Sequence, residues 1–293
     1  MFDILLLIQQ IINGLLLGCL YGLMGLGLAL IFGVMREVNF AHGDIIILGT
    51  YILSTLYIWL NIPITFLIPI YLFMFFILGL IINKCLLEYP RLKGSGGDTS
   101  LIITYALSII LESAMLSIWG AYPFSSRFRM EGALSFFGIS IGLQRVVSSV
   151  IAIFGMIILF LFLKFSMTGK AIRAVSQNAQ LAWTLGINAH RIYKITFGTG
   201  VVLAAIAGGL LAPIYAVTPY QGAYYLTKSF AVVIIGGMGN LIGTILAALL
   251  LGTLESLSVF IIKGGFRDVV GLLLMIIILL FKHEGLLGKE VRV

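Results

Sequence analysis

Between Asp3 and Arg36, and again between Asp44 and Lys84, the chain carries no aspartate, glutamate, lysine or arginine. Uncharged apolar runs of this length exceed the ~20 residues that carry a helix across a bilayer. In lipid every backbone N–H and C=O must be satisfied within the protein, which leaves helices or closed barrels. The short alternating segments of a barrel are absent, so helices remain. With 61% hydrophobic and 10% charged residues among 293, and a mean hydropathy of +1.16, a soluble globule is excluded. The expected fold class is all-α: a polytopic helical membrane bundle of about eight or nine transmembrane segments, some broken or re-entrant, forming one domain over residues 1–293.

A net charge of +7 would suit nucleic acid only if the basic residues gathered on one face. They are spread over short loops, where topology and anionic headgroups explain the sign, and no nucleic-acid partner is expected. Cys19 lies inside the first apolar run and Cys85 at the end of the third, so neither a disulfide framework nor a metal site is indicated. His42, His190 and His283 are scattered, and no nucleophile or metal-ligand spacing emerges. The chain therefore reads as non-enzymatic, with no catalytic residue, metal or cofactor of its own. Met1-Phe2-Asp3-Ile4 lacks the basic start of a cleavable signal, so the first apolar run is expected to be retained.

In the first segment, residues 8–34, Gly18, Gly22, Gly25, Ala29 and Gly33 recur at three- and four-residue steps, the pattern of close helix contact in membranes. Asn39-Phe40-Ala41-His42-Gly43-Asp44 follows, and Ile45 at once opens the next apolar run. With so little room for a loop, part of this stretch is expected at membrane depth, where irregular backbone survives only inside protein or beside water. Asn39 or His42 is placed to cap the new helix, with Asp44 in its first turn. One reading is a capped turn; the other is a discontinuous helix at a central transport site.

Asn61-Ile62-Pro63 makes a turn before residues 64–84. Gly94-Ser95-Gly96-Gly97-Asp98 lacks the lysine and hydroxyl residue of a phosphate loop and reads as a flexible turn, with Asp98 or Thr99 capping segment 99–119, which carries Glu112. The loop at 120–141 holds Arg127, Arg129 and Glu131 among aromatic residues, as an interfacial anchor or a docking surface for an extracytoplasmic partner. Segments 142–163 and 192–213 follow. Beyond Pro213 and Pro219, a thin or broken crossing is expected from about Tyr224 to Gly239, interrupted at Gly236-Gly237-Met238-Gly239-Asn240. Leu241 opens a run to Ile262 with Glu255 as a lone carboxylate, and the last segment is 269–281. Two interrupted segments in corresponding halves, with a shared Gly-Thr pair at Gly49-Thr50 and Gly243-Thr244, point to a central translocation path.

Gly169 to Ile195 is too polar for the bilayer. Lys164, Lys170, Arg173, Arg191 and Lys194 crowd it, and the positive-inside bias places it in the cytoplasm. Ala171, Ile172, Val175, Ala179, Ala182, Trp183 and Leu185 fall at mixed helical steps, as on one apolar helix face that a partner could grip. The same assignment puts Arg36, Lys84, Arg91, Lys93, Lys164, Lys170, Arg173, Arg191, Lys194, Lys282, Lys289 and Arg292 inside, two thirds of the 18 basic residues. With nine crossings the amino terminus is outside.

NFAHGD at Asn39 to Asp44, GKAIRAVSQNAQLAWTLGIN at Gly169 to Asn188, and FAVVIIGGMGNLIGTILAALLLGTLES at Phe230 to Ser256 resemble the permease subunits of branched-chain amino-acid ABC importers, the Liv-type family. Order and spacing of the three blocks fit along nearly the whole chain. The resemblance implies a multi-pass permease of the prokaryotic cytoplasmic (inner) membrane. It would pair with a second related permease or another copy of itself, two cytoplasmic ATPase subunits that bind ATP and Mg, and an extracytoplasmic solute-binding protein. It also implies a coupling loop near 166–191, with Arg173, Gln177, Asn178, Leu185, Gly186 and Ile187 towards the ATPase. Gln177, Asn178 and Gln180 stand where relatives often carry charge, whereas Leu185-Gly186-Ile187 keeps the pattern. Glu112 stands where relatives tend to have an uncharged polar residue, and no role is carried onto it.

The leading expectation is a translocation subunit for branched-chain or related hydrophobic amino acids, driven by partner ATPases, with Asn39–Asp44 and Gly236–Asn240 lining or gating the path. Urea or amides are alternative solutes. An ion-coupled carrier is a further class, in which Asp44, Glu112 and Glu255 would relay protons; no basic partner for them is apparent within the membrane.

Overall fold

The computed structural model describes residues 4–94, 96–126, 128, 130–136, 138–262 and 267–288. Arg127, Arg129, Lys263, Lys289 and Arg292, which enter the inside–outside count, lie outside the described residues, as do Ser95, Gly264 and Gly265.

The first helix, α1 (Ile4–Met35), is the axis of the bundle. Its 32 residues are nearly all buried beyond Leu17, and at about 1.5 Å per residue it is longer than a ~30 Å hydrocarbon core. Helix α11 (Leu241–Ile262) runs antiparallel against it: Gly14 meets Thr253, Gly18 meets Leu249 and Gly25 meets Thr244, and Gly33 meets Gly239 in the turn just before α11. Small residues allow two backbones to approach this closely, which is how membrane helices gain packing without a hydrophobic drive between them. On another side Gly22 faces Met156 of α6 (Leu143–Phe165).

Helix α2 (His42–Leu60) begins deep in the bundle rather than at the end of α1. The His42 ring sits 3.0 Å from the Met24 carbonyl, a level about 16 Å back along α1 from its last residue. The chain therefore turns at Met35, re-enters the bundle over residues 36–41 and restarts as a helix at depth. Helix α9 (Ala189–Leu211) does the same in the opposite sense. It crosses, the chain returns through 212–218 and a single tight turn at Pro219–Gln221, and α10 (Gly222–Gly236) starts beside Gly43 and Asp44.

The correspondence extends to the flanks. Helix α3 (Ile64–Ile82) packs antiparallel on α9, with Gly79 against Gly198 and the Tyr71 hydroxyl donating to the Ala205 carbonyl at 2.6 Å, as α11 packs on α1. Helix α5 (Gly96–Trp119) lines α2, and α12 (Arg267–Phe281) lines α10. The result is an inverted repeat, α1–α2–α3–α5 against α9–α10–α11–α12, the plan on which many membrane carriers are built. A π-helical turn at Asn83–Leu87 and α4 (Glu88–Leu92) prolong α3. Helices α7 (Met167–Gln177) and α8 (Ala179–Thr184) project at the end where α1 finishes.

Among the described residues seven helices are long and apolar enough to cross a membrane. Helices α10 and α12, 15 residues each, are the thin members. Three expectations change. The amphipathic segment is two helices, because the Asn178 side chain accepts from Gln180 N and Leu181 N, both at 3.0 Å, and caps α8 instead of continuing α7. Helix α5 begins at Gly96, so Asp98 lies in its first turn and the preceding turn is shorter than read. The outer loop contains a small antiparallel hairpin, β1 (Ala133–Phe136) and β2 (Ile139–Gly142).

Because a Cβ at Gly208 would collide with the Ile46 carbonyl, Gly208→Val is expected to destabilise the α2–α9 contact by about 1–3 kcal/mol. Gly142 has open space and a φ of −60°, so Gly142→Ala should leave thermal unfolding in detergent unchanged; equal melting of the two variants would refute this packing.

Candidate transport path and coupling surface

The stretch Asn39–Asp44 is held by α5. Thr104 Oγ1 accepts from Phe40 N at 3.1 Å, Ser108 Oγ donates to Asp44 Oδ2 at 2.5 Å, and the Phe40 ring lies 5.8 Å from that of Phe230 on α10. Neither Asn39 nor His42 caps α2 as expected. Asn39 Oδ1 instead closes a local turn by accepting from Ala41 N at 3.1 Å, and the His42 imidazole is taken by the Met24 carbonyl. Gly43 lies on the Gly222 carbonyl, and Gly222 lies on the Asp44 carboxylate. The amino-terminal ends of α2 and α10 thus face each other inside the bundle, with the Asp44 carboxylate between them where both helix dipoles favour negative charge. Asn39 and His42 are buried, and Asn39 Nδ2 and His42 Nδ1 have no protein partner among the described residues.

The second predicted stretch lies at the other end of α10. Gly237 (φ +101°) and Gly239 (φ +83°) take a left-handed turn that other residues resist. The chain's own last described segment closes over it: Leu286 N donates to Ile235 O at 2.7 Å, Leu287 N to Gly236 O at 3.2 Å, and Asn240 Nδ2 to Leu287 O at 2.6 Å. Met238 is exposed. Gly236–Asn240 and Asn39–Asp44 are therefore not brought together. What meets Asn39–Asp44 is the start of α10, which sequence reasoning placed in a broken crossing but not at this junction.

At the α7–α8 end, Ile172, Val175 and Ala182 are buried against the bundle and Ile187 packs beside them. Arg173, Gln177, Asn178, Leu185 and Gly186 are exposed. Leu181, Trp183 and Leu185 are 62%, 57% and 79% exposed, so Trp183 and Leu185 point away from the face they were expected to share with Ile172. Gly186 (φ +82°) ends α8, with its N–H donating to the Trp183 carbonyl at 2.9 Å.

Two ion-pair systems escape sequence reading. Near the α7–α8 end, Arg91 forms a bidentate pair with Glu37, both bonds 2.8 Å, and stacks 4.8 Å from the Tyr193 ring centre, while Lys194 pairs with Glu88 at 2.7 Å. Within the bundle, Lys228 of α10 lies 2.5 Å from Glu255 Oε1 and 2.7 Å from Asp268 Oδ1, and the Tyr21 hydroxyl donates to Glu255 Oε2 at 2.9 Å. Glu255 is thus not a lone carboxylate, and an intramembrane acid does have a basic partner. The available signal was the single lysine in α10, since an ionisable residue in such a segment marks a paired site.

A family model described as branched-chain amino acid transport system, permease component, matches residues 10–279. The chain belongs to this family. The permease is 30% identical to the high-affinity branched-chain amino acid transport system permease protein LivH of Salmonella typhimurium, over 96% of each chain. It is equally similar, over the same shares, to BraD of Pseudomonas aeruginosa, which bears the same description. It is 29% identical to the probable LivH permease of Methanocaldococcus jannaschii over 92% of this chain and 88% of that one. No solved structure matches. The permease is a multi-pass protein of the cytoplasmic (inner) membrane and a non-catalytic component of an ABC importer.

The Glu37–Arg91 side chains are 6% and 12% exposed, so removing one partner strands a charge. Arg91→Met is expected to lower stability by about 3–5 kcal/mol. Adding Glu37→Leu should recover part of that loss in denaturation of the purified protein, and additive losses would refute a desolvated pair.

Proposed function

We propose that the permease imports branched-chain or related hydrophobic amino acids, with the work done by two ATPase subunits that bind ATP and Mg and grip α7–α8. The observation that carries this reading is the exposure of three large apolar side chains, Leu181 and Trp183 on α8 and Leu185 at its end, on a helix whose Ala182 is buried against the bundle. Large apolar side chains displayed this way on a polar loop suit a partner's groove. Because Ala182 roots α8, and Ile172 and Val175 root the adjoining α7, in the bundle, a push on these side chains moves the bundle rather than a tether.

The inverted repeat supplies the element to be moved. Rocking one half against the other would part the ends of α2 and α10, exposing Asn39, His42 and Asp44 first to one side and then to the other. In the closed arrangement Gly43 and Gly222 leave no room for a solute. The description of the relatives as branched-chain amino acid permeases favours amino acids over urea or amides and over an ion-coupled carrier. A second permease, or another copy of this one, and an extracytoplasmic solute-binding protein complete the assembly in this reading. Gly236–Asn240, braced by the segment after α12, would act as a pivot at the ATPase end.

Leu185→Asp places a charge in the proposed groove, and Gly186→Val forces a β-branched residue into a left-handed turn. Each variant should insert normally but lose leucine uptake and stimulated ATP hydrolysis by tenfold or more in liposomes with the full set of partners, as measured with labelled leucine. Normal uptake in both variants would sink the coupling assignment.

A further inference from the structure

Helix α10 presents one face to the Asn39–Asp44 junction and another to a cavity of about 310 Å³ shared with α11 and α12. Cavities on the order of 150 Å³ already hold a benzene-sized molecule, so this one has room for an amino acid. One wall is apolar, with Ala231, Leu251 and Leu272; the other carries Lys228, Glu255 and Asp268. A Cβ on Gly271 would stand 2.9 Å from Glu255 Oε1, so glycine there lets α12 lie close to the charged groups.

The two acids differ. Glu255 is fully buried and fixed by both Lys228 and the Tyr21 hydroxyl, whereas Asp268, which also accepts from the Tyr224 hydroxyl at 3.2 Å, is 57% exposed. The Lys228–Asp268 contact is therefore the one that an incoming group can exchange. A zwitterion fits such an exchange without altering the charge of the site: its carboxylate takes the Lys228 ammonium, and the Asp268 carboxylate, still held by the Tyr224 hydroxyl, takes its ammonium. One ion pair becomes two in surroundings where charge pairing counts for more than in water.

We propose that the cavity between α10, α11 and α12 binds a free zwitterionic α-amino acid, its carboxylate on Lys228, its ammonium on Asp268 and its aliphatic side chain against Leu251 and Leu272. The proposal deepens the transport reading and rests on it for the choice of solute. Exposed Ala223 and Thr227 line the same cavity along α10, and a solute held at Lys228 is two helical turns or fewer from Gly222, where α10 meets α2. Glu255 is a positioning residue that holds the lysine.

A reporter thiol tests the site. In the complete importer reconstituted in liposomes, Leu272→Cys is made with Cys85→Ser, because Cys85 is exposed and Cys19 buried. Its reaction with a small methanethiosulfonate reagent is then timed. L-Leucine is expected to slow the reaction several-fold, while L-leucinamide, which lacks the carboxylate, and 4-methylpentanoate, which lacks the ammonium, should not. Lys228→Gln should abolish protection by leucine. If that variant fails to reach the membrane, Asp268→Asn asks the question from the ammonium side and should weaken protection likewise.

Equal rates with and without leucine, in liposomes that still take up leucine, would overturn the site and leave the transport reading standing. Protection by leucinamide or by sodium chloride alone would overturn it in favour of a cation site. Protection unchanged in Lys228→Gln or Asp268→Asn would overturn the assignment of the charged groups. Absence of leucine uptake by the parent importer would instead defeat the transport reading, with thiol protection still deciding the site.

Discussion

An interrupted backbone inside a membrane has to find its hydrogen bonds within the protein, and the rest of this structure is arranged around two such interruptions. The chain folds back after α1 and after α9, and both times it restarts as a helix at depth. The free N–H groups and positive dipole ends of α2 and α10 then confront each other inside the bundle. Glycine at 43 and 222 allows the approach, and Asp44 supplies the negative charge that both ends require. Thr104 and Ser108, on the neighbouring α5, tie down the polar groups of the first turn-back. A junction held by short side chains and close backbone contact has few intermediate positions, which suits an element that switches between two arrangements.

The inverted repeat gives that junction its mechanical setting. Each half has one full-length helix packed antiparallel to a partner along a seam of small residues, α1 with α11 and α9 with α3. Within lipid such seams are held by close van der Waals contact rather than by exclusion of water, so they are rigid where glycine brings backbones together. The turns at 36–41, 212–221 and 237–240 connect these seams to the shorter helices. In the proposed cycle, force would enter at α7 and α8, which lie at the end of α1 and close to the Glu37–Arg91 and Glu88–Lys194 pairs. These pairs join the first turn-back, the continuation of α3 and the start of α9.

Charge inside the bundle is concentrated where helices must be held in register. Lys228, Glu255 and Asp268 tie three helices of the second half, and Asp44 with Ser108 ties two of the first. These groups are costly in lipid unless paired, so their pairing fixes which faces of α10 and α2 point inward. On α10 the faces divide the tasks. Gly222 and Phe230 meet the first turn-back, Lys228 meets α11 and α12, and Ala223 and Thr227 stay uncovered.

The residue order by itself determined the helical membrane class, because uncharged apolar runs leave no other way to satisfy a backbone in lipid. It also pointed to part of Asn39–Asp44 lying at membrane depth, since two apolar segments abut a polar stretch too short for a loop, while leaving a capped turn as the other reading. The family was legible in three blocks whose identities do not depend on packing. Local pattern could not show the split at Asn178, where a side-chain cap overrides helical periodicity, nor the true partner of Asn39–Asp44. That partner is the start of α10, almost 180 residues away along the chain, and no local signal specifies which helix ends meet. Lys228 and Glu255 are likewise paired only by the antiparallel packing of α10 and α11. Sequence spacing fixes what each segment can bury, whereas the choice of neighbour depends on how glycine seams from distant segments fit together, and only the tertiary structure decides that.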